Sequence, residues 1–234
     1  MSRKTRKALR VAVVGSTGRM GQEICNLISA DQRFQLAAEI NSEGWTKVQA
    51  EKIDVVIEFS SPKGVVAATK WCVKNRVCLV SGTTGLSRVQ MGSLKSAGKK
   101  IPLLYSPNMS LGIAAMNSML AHFQNLPTWD FHVEEVHHKL KRDKPSGTAL
   151  LLDQRLADVT GKKLPAPNSV RGGGVPGIHQ VWAMGEDEVI LLQHWAFQRR
   201  VFARGALAAA AWLFDKKSPG LYDLQDLYAI PPRS

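Results

Sequence analysis

Acidic residues are scarce in this 234-residue chain: 19 Asp and Glu stand against 31 Lys and Arg, a formal net charge of +12. Such an excess suits a polyanion. Aromatic residues are also few, at 7%, and no interleaved aromatic platform or helix-turn-helix spacing accompanies the charge, which tells against a nucleic-acid binder. The run Arg3, Lys4, Arg6, Lys7, Arg10 reads as a solvated tail. The remaining excess suits a small substrate and a cofactor rich in carboxylates and phosphates. Cysteine is limited to Cys25, Cys72 and Cys78, an odd count without C-x-x-C spacing, each among apolar neighbours. That predicts reduced core thiols and a cytoplasmic setting rather than a disulfide or metal framework. The longest apolar run, Ala206 to Phe214, is far short of the ~20 residues a membrane span needs. No basic segment followed by a cleavable apolar core opens the chain, so no secretion signal is expected.

What is present is globular. Apolar residues at 44% and charged residues at 21% exclude a collagen-like or wholly disordered chain. At roughly 100–200 residues per domain, the length allows one large domain or two small ones. Leu9 to Val14 predicts a strand, followed by Gly15-Ser16-Thr17-Gly18-Arg19-Met20-Gly21 and a helix with Ile24, Leu27 and Ile28 on one face. Strand, glycine turn and helix open a dinucleotide-binding unit, because glycines let the backbone approach a pyrophosphate and the helix N-terminus offers N–H groups. The spacing is G-x-x-G-x-x-G, and its structural alternative is a plain tight turn.

Further strands are expected at Gln35 to Ile40, Ile53 to Phe59, Val77 to Ser81 and Ile101 to Tyr105. Ser61-Pro62 opens a helix as N-cap and first position. From about Gly112 the pattern changes to a helix at Ile113 to Phe123, an alternating strand at Asp130 to His138 and a helix from Ser146 to about Val159. A loop rich in Pro and Gly, Lys162 to Gly177, precedes two strand-like runs, Ile178 to Met184 and Glu188 to His194, joined at Gly185-Glu186-Asp187. An alanine-rich helix follows at Gly205 to Phe214. The expected class is α/β: a Rossmann-type parallel sheet in 1–109, completed by 205–234, with an inserted α+β domain in 110–204.

The densest chemistry lies between Glu134 and Ala149. Two histidines end a strand, Lys139 and Lys141 follow, and Pro145-Ser146-Gly147-Thr148 starts a helix. A histidine beside a lysine offers a general acid near neutral pH with a fixed positive charge, and the helix start offers N–H groups and hydroxyls to a carboxylate. The alternative is a solvated basic turn leading into a capped helix.

The string Glu135-x-His137-x-x-x-Lys141-x-Asp143-x-Pro145-Ser146-Gly147-Thr148-Ala149 resembles the 4-hydroxy-tetrahydrodipicolinate reductase (dihydrodipicolinate reductase) family of the lysine and diaminopimelate pathway. The likeness runs from Val11 to about Tyr228, supported by Arg19-Met20-Gly21, Glu58-Phe59-Ser60, Gly82-Thr83-Thr84-Gly85, Asn108-Met109-Ser110-Leu111-Gly112 and Phe202-Ala203-x-Gly205-Ala206. The resemblance implies reduction of a cyclic unsaturated dicarboxylate by a nicotinamide cofactor, NADPH or NADH, with hydride going to ring C4. It implies His137 as proton donor, Lys141 as the second catalytic residue, and His138, Ser146, Gly147 and Thr148 as carboxylate-binding positions. Arg199 falls on an arginine that approaches the substrate from the late strand. Gly15, Gly18, Arg19 and Met20 fall on the pyrophosphate turn, Asn41 on the adenosine side. Phe59, Gly82, Thr83, Thr84, Ser106, Asn108 and Met109 fall around the nicotinamide. No metal is implied.

Three departures refine these expectations. Where relatives carry an acid followed by arginine after the second strand, this chain has Asn41-Ser42, which with Arg19 nearby favours NADPH while leaving NADH usable. The Asn41 to Ile53 segment is short. The second domain lacks about one hairpin between Gly177 and His194, on the sheet through which relatives form tetramers, so a homo-oligomer is expected as a dimer or a tetramer. Two alternatives of other classes are a nucleotide-sensing Rossmann protein without turnover, which the presence of both His137 and Lys141 disfavours, and the nucleic-acid binder discussed above.

Overall fold

In chain order the computed structural model, which describes residues 7–41, 44–47 and 49–228, builds β1 (Leu9–Val14), α1 (Arg19–Ser29), β2 (Phe34–Ile40), β3 (Val55–Glu58), α2 (Pro62–Asn75), β4 (Cys78–Ser81), α3 (Arg88–Gly98) and β5 (Pro102–Tyr105). Then come α4 (Leu111–Met119), β6 (Asp130–His137), α5 (Gly147–Thr160), β7 (Asn168–Arg171), β8 (Ile178–Met184), β9 (Val189–Trp195), α6 (Arg200–Lys216) and β10 (Gly220–Tyr222). The chain divides into two compact units: one spans Met1–Met109 and resumes at Phe202, the other spans Ser110–Val201.

The first unit is a six-stranded sheet in the order β10-β5-β4-β3-β1-β2, parallel throughout. Its central strands are apolar on both faces because helices cover both: Val11, Ala12, Val13, Val55, Val56, Ile57, Leu79, Val80, Leu103 and Leu104 are all 0% exposed. Ser61 caps α2 as expected, its Oγ accepting from Gly64 N at 3.2 Å with Pro62 in the first turn. The second unit carries a mixed four-stranded sheet, β7-β6-β8-β9, in which β6 pairs parallel to β7 and antiparallel to β8. Alternation along β6 sends Phe131, Val133, Glu135 and His137 to the buried face, where Leu152 and Leu156 of α5 complete the core.

Four features depart from the sequence expectations. α3 carries little periodic signal, because its buried apolar positions, Leu94 and Ala97, are sparse among Gly92, Ser93 and Ser96; a Ser87–Gln90 capping box starts it. β7 lies inside the stretch read as a loop, a four-residue strand held only by its parallel partner β6. The helix expected at Ile113 to Phe123 is α4 followed by a 3₁₀ segment, Leu120–Asn125. The last helix starts earlier, at Arg200, and β10 adds an edge strand beyond it.

Candidate active site

At the carboxyl end of the parallel sheet, main-chain hydrogen bonds lash the successive loops together. Phe59 N donates to Val14 O at 3.0 Å, Gly82 N to Glu58 O at 3.0 Å and Ser106 N to Ser81 O at 3.1 Å. The structure thus aligns Gly15, Phe59, Gly82 and Ser106 along one edge, at the ends of β1, β3, β4 and β5. Gly15 has φ +81°, and a Cβ there would press on the Phe59 carbonyl and Ser60; a Cβ at Gly21 would overlap the Gly15 carbonyl. Both glycines are therefore required by close backbone approach and, at Gly15, by a left-handed conformation. Gly18 is the N-cap of α1 and brings no side-chain cap, so the first-turn N–H groups are left for an anion. That cradle fits a pyrophosphate. Arg19 is exposed and Met20 half-buried beside it.

Glu58, 0% exposed, organises the neighbouring loops. Its Oε1 accepts from Ser60 N at 2.8 Å, Ser60 Oγ at 2.5 Å and Thr83 Oγ1 at 2.9 Å, and its Oε2 accepts from Ser81 Oγ at 2.7 Å. A Cβ at Gly82 would overlap the Phe59 ring, so those two positions fit only as glycine against aromatic. Ser106 Oγ donates to Asn108 O at 2.7 Å, and Thr84 is exposed. Asn41 is exposed at the end of β2, and Ser42 lies outside the described residues. Met109 is 1% exposed, a core residue whose carbonyl lies where a Cβ at Gly205 would fall.

The second cluster is built on the buried face of the mixed sheet. His137 Nδ1 is hydrogen-bonded to Glu135 Oε2 one strand alternation away, and Glu135 Oε1 accepts from Arg171 Nη2 at 2.7 Å and from Ser146 N at 3.3 Å. The His179 ring meets the His137 ring edge-on, centroids 5.1 Å apart. Its Nε2 stands 3.3 Å from Ser146 Oγ, which also accepts from Ala149 N at 3.1 Å as the N-cap of α5. Burial lowers the His179 pKa to about 3, keeping the ring neutral. Burial also lowers His137; Glu135 pulls it up, while Lys141 and Arg171 push it down. Burial raises the Glu135 carboxyl, but hydrogen bonds led by that from Arg171 outweigh this and hold it below its ordinary value.

Lys141 sits in the loop after β6, its Nζ 2.8–2.9 Å from both Asp143 carboxylate oxygens. That pair holds Asp143 down against its partial burial. His138 is half-buried just past the strand, and Gly147 and Thr148 occupy the first two positions of α5. Arg199 is not on a strand: it is exposed in the turn between β9 and α6, and among the described residues no hydrogen bond ties it to His137. Sequence reasoning missed the groups around His137, namely the role of Glu135, and Arg171, His179 and His194. Buried alternation on β6 and β8 was the available signal for Glu135 and His179. Glu135, His137 and His179 bring ligand-type atoms within 4.8 Å of one another. Both Glu135 oxygens are, however, already engaged by an imidazole and a guanidinium, the chemistry of an ion-pair network rather than a metal centre.

A glycine cradle at the end of a parallel sheet, with a buried acid–base cluster on a second, mixed sheet, defines a nicotinamide-dependent oxidoreductase. Family models described as "Dihydrodipicolinate reductase, N-terminus" and "Dihydrodipicolinate reductase, C-terminus" match residues 9–109 and 110–228. A 4-hydroxy-tetrahydrodipicolinate reductase of Bdellovibrio bacteriovorus is 43% identical over 222 residues, covering 94% of this chain and 96% of that protein. One of Rickettsia rickettsii is 35% identical over 239 residues, covering 95% and 100%. A dipicolinate-bound dihydrodipicolinate reductase from a Paenisporosarcina species superposes with a TM-score of 0.82 at 22% identity, covering 94% of this chain and 99% of that one. The chain belongs to the dihydrodipicolinate reductase family.

Proposed function

We propose that this chain reduces 4-hydroxy-tetrahydrodipicolinate to tetrahydrodipicolinate, with loss of water, and that His137 protonates the carbon next to the one that receives hydride. The observation that carries the donor assignment is the Glu135–His137 hydrogen bond. It occupies Nδ1 and so leaves Nε2 as the nitrogen that gives up a proton. The absence of a Cβ at Gly177 keeps that nitrogen accessible, since one there would stand 3.0 Å from Nε2. A nicotinamide, when bound, supplies the hydride. Gly15, Gly18 and the first turn of α1 hold its pyrophosphate, and Phe59, Gly82 and Thr83 shape the ground around its ring. Lys141 and the start of α5 at Gly147 and Thr148 meet substrate carboxylates with positive charge and N–H donors. The unit from Met1 to Met109 is thus the nucleotide-binding part, and the unit from Ser110 to Val201 the substrate-binding part.

NADPH is the preferred cofactor and NADH is accepted, because exposed Asn41 puts no carboxylate where a 2′-phosphate would sit. The protein works as a homo-oligomer, dimer or tetramer. Supporting this, β9 is an edge strand with Val189 54%, Leu191 40% and Trp195 50% exposed. The test is loss of 340 nm absorbance on freshly generated substrate with each cofactor. His137→Gln is expected to lower kcat by about 10²–10⁴ with little change in KM, because the acid acts in the transition state. A raised KM with unchanged kcat removes His137 from the role.

A further inference from the structure

Arg171 ends β7, in the stretch that reads from sequence as a loop. Its guanidinium, 13% exposed, donates from Nη2 to Glu135 Oε1 at 2.7 Å and to the main-chain carbonyl of Asp143 at 2.6 Å. Nη1 donates to Val170 O at 2.8 Å, which fixes the fork against its own strand. One side chain therefore grips both the carboxylate behind His137 and the backbone of the loop that carries Lys141. Two further bonds tie that loop to the strand end, Lys139 N to Gly173 O at 3.2 Å and Gly172 N to His137 O at 2.9 Å.

We propose that Arg171 is a positioning residue for proton delivery: it sets His137 and Lys141 in register and restrains the proton affinity of the Glu135–His137 pair. The inference rests on His137 as the proton donor. Both bonds leave Nη2, whose two hydrogens are aimed by a planar guanidinium that Nη1 anchors on Val170 O; a lysine keeps the charge but not that fixed plane.

The sign follows from every charged group that faces His137. On its own strand Glu135 favours the protonated ring. From β7 Arg171, and from the loop after β6 Lys141, oppose it. Asp143, paired with Lys141, offsets part of that lysine's charge. From β8 His179 is neutral in the physiological range, and from β9 His194, also held down by burial, stands behind it with ring centroids 6.5 Å apart. Removing Arg171 takes away a cation and one hydrogen bond to Glu135 Oε1, which keeps Ser146 N at 3.3 Å. Glu135 and His137 then share their proton as a coupled pair, and the pair holds it to higher pH whichever atom carries it. A donor that holds its proton longer keeps working at higher pH, so the basic limb of the kcat profile moves up.

The experiment is an NMR titration of the His137 ring in wild type, Arg171→Gln and Arg171→Lys, with kcat and KM profiles of the same proteins. Arg171→Gln is expected to raise the His137 titration midpoint and the basic limb by about one pH unit, and to raise KM for the dicarboxylate several-fold. Arg171→Lys is expected to keep the wild-type midpoint and show only the KM increase. An unmoved midpoint in Arg171→Gln overturns the restraint on proton affinity, and an unchanged KM in Arg171→Lys overturns the role in register. If Arg171→Gln does not fold, the lysine variant decides alone: a shifted midpoint or a wild-type KM refutes the proposal. The titration needs no turnover, so absence of reductase activity in the wild type would sink the reading it rests on without touching the midpoint result.

Discussion

Glu58→Ala isolates what a buried carboxylate does for the dinucleotide loops. It removes the acceptor of four hydrogen bonds, whose donors differ in what they fall back on. Ser60 N keeps Thr83 Oγ1 at 2.9 Å, and the exposed Ser60 hydroxyl finds water. The Ser81 and Thr83 hydroxyls, 0% and 7% exposed, lose a partner with no solvent to replace it. At about 1–3 kcal/mol for each unsatisfied buried group, the cost centres near 4 kcal/mol. For a chain of this size that is roughly 8–16 °C in Tm, at about 2–4 °C per kcal/mol. Glu58→Gln keeps a carbonyl for the three Oε1 donors and turns only the Ser81 hydroxyl into an acceptor, so about 1–2 kcal/mol is expected. Because Ser60 and Thr83 lie on the candidate cofactor loops, Glu58→Ala is also expected to raise KM for the nicotinamide cofactor several-fold, and Glu58→Gln by less than about twofold. Thermal melts and cofactor titrations of both variants test this. A Glu58→Ala protein melting within about 2 °C of wild type would refute the reasoning, since it would mean that water or a loop shift satisfies those hydroxyls.

Two further outcomes follow from packing. Gly205→Ala lies inside α6, where alanine normally adds about 1 kcal/mol to a helix, yet here its Cβ overlaps the Met109 carbonyl. A net loss of about 1–3 kcal/mol is expected in the denaturant midpoint, and a stabilised variant would contradict the close approach. Burial pushes the thiols of Cys25 and Cys78 up to about 11 and that of Cys72 well above its ordinary value. With an aromatic disulfide reagent at pH 8, half-buried Cys25 should react first and slowly, and Cys72 only on unfolding. Fast labelling of Cys72 in the native protein would overturn that order.

Legibility in the sequence tracked how local the determining physics was. β1, the glycine turn and α1 were readable because strand propensity, backbone approach and helix start are all encoded within Leu9 to Ser29. Ser61-Pro62 and Ser146 declared helix starts for the same reason. β7 was not readable, since Asn168–Arg171 is a strand only by virtue of the register Glu134↔Asn168 through His137↔Arg171, set by a partner more than thirty residues away. Arg171 was lost with it. The triad behind His137 draws on β6, β7 and β8, and no spacing within the chain brings Glu135, Arg171 and His179 together before the sheet forms.

That non-locality also redefines one residue the sequence did point to. Ser146 falls where a substrate carboxylate would be bound, but its hydroxyl caps Ala149 N and reaches His179, and its N–H turns to Glu135. At 2% exposure it has little left to offer a ligand. A helix start gives its first N–H groups no intrahelical partner, which suits an anion, and with Ser146 turned inward the first two positions of α5 are Gly147 and Thr148. Beside Gly147 a Cβ would meet nothing within 4 Å, so there is space for one. Ser146 is then the joint between two tasks. In the proposed reaction the carboxylate grip would begin one residue after it, while Glu135 and His179 are both hydrogen-bonded to it. On that proposal, a substrate drawn onto the N-terminus of α5 would be drawn against an element bonded to Glu135. This gives the order of Ser146, Gly147 and Thr148 in the sequence a mechanical reason: the inward-facing residue must come first, at the cap, where its side chain can turn back toward the sheet.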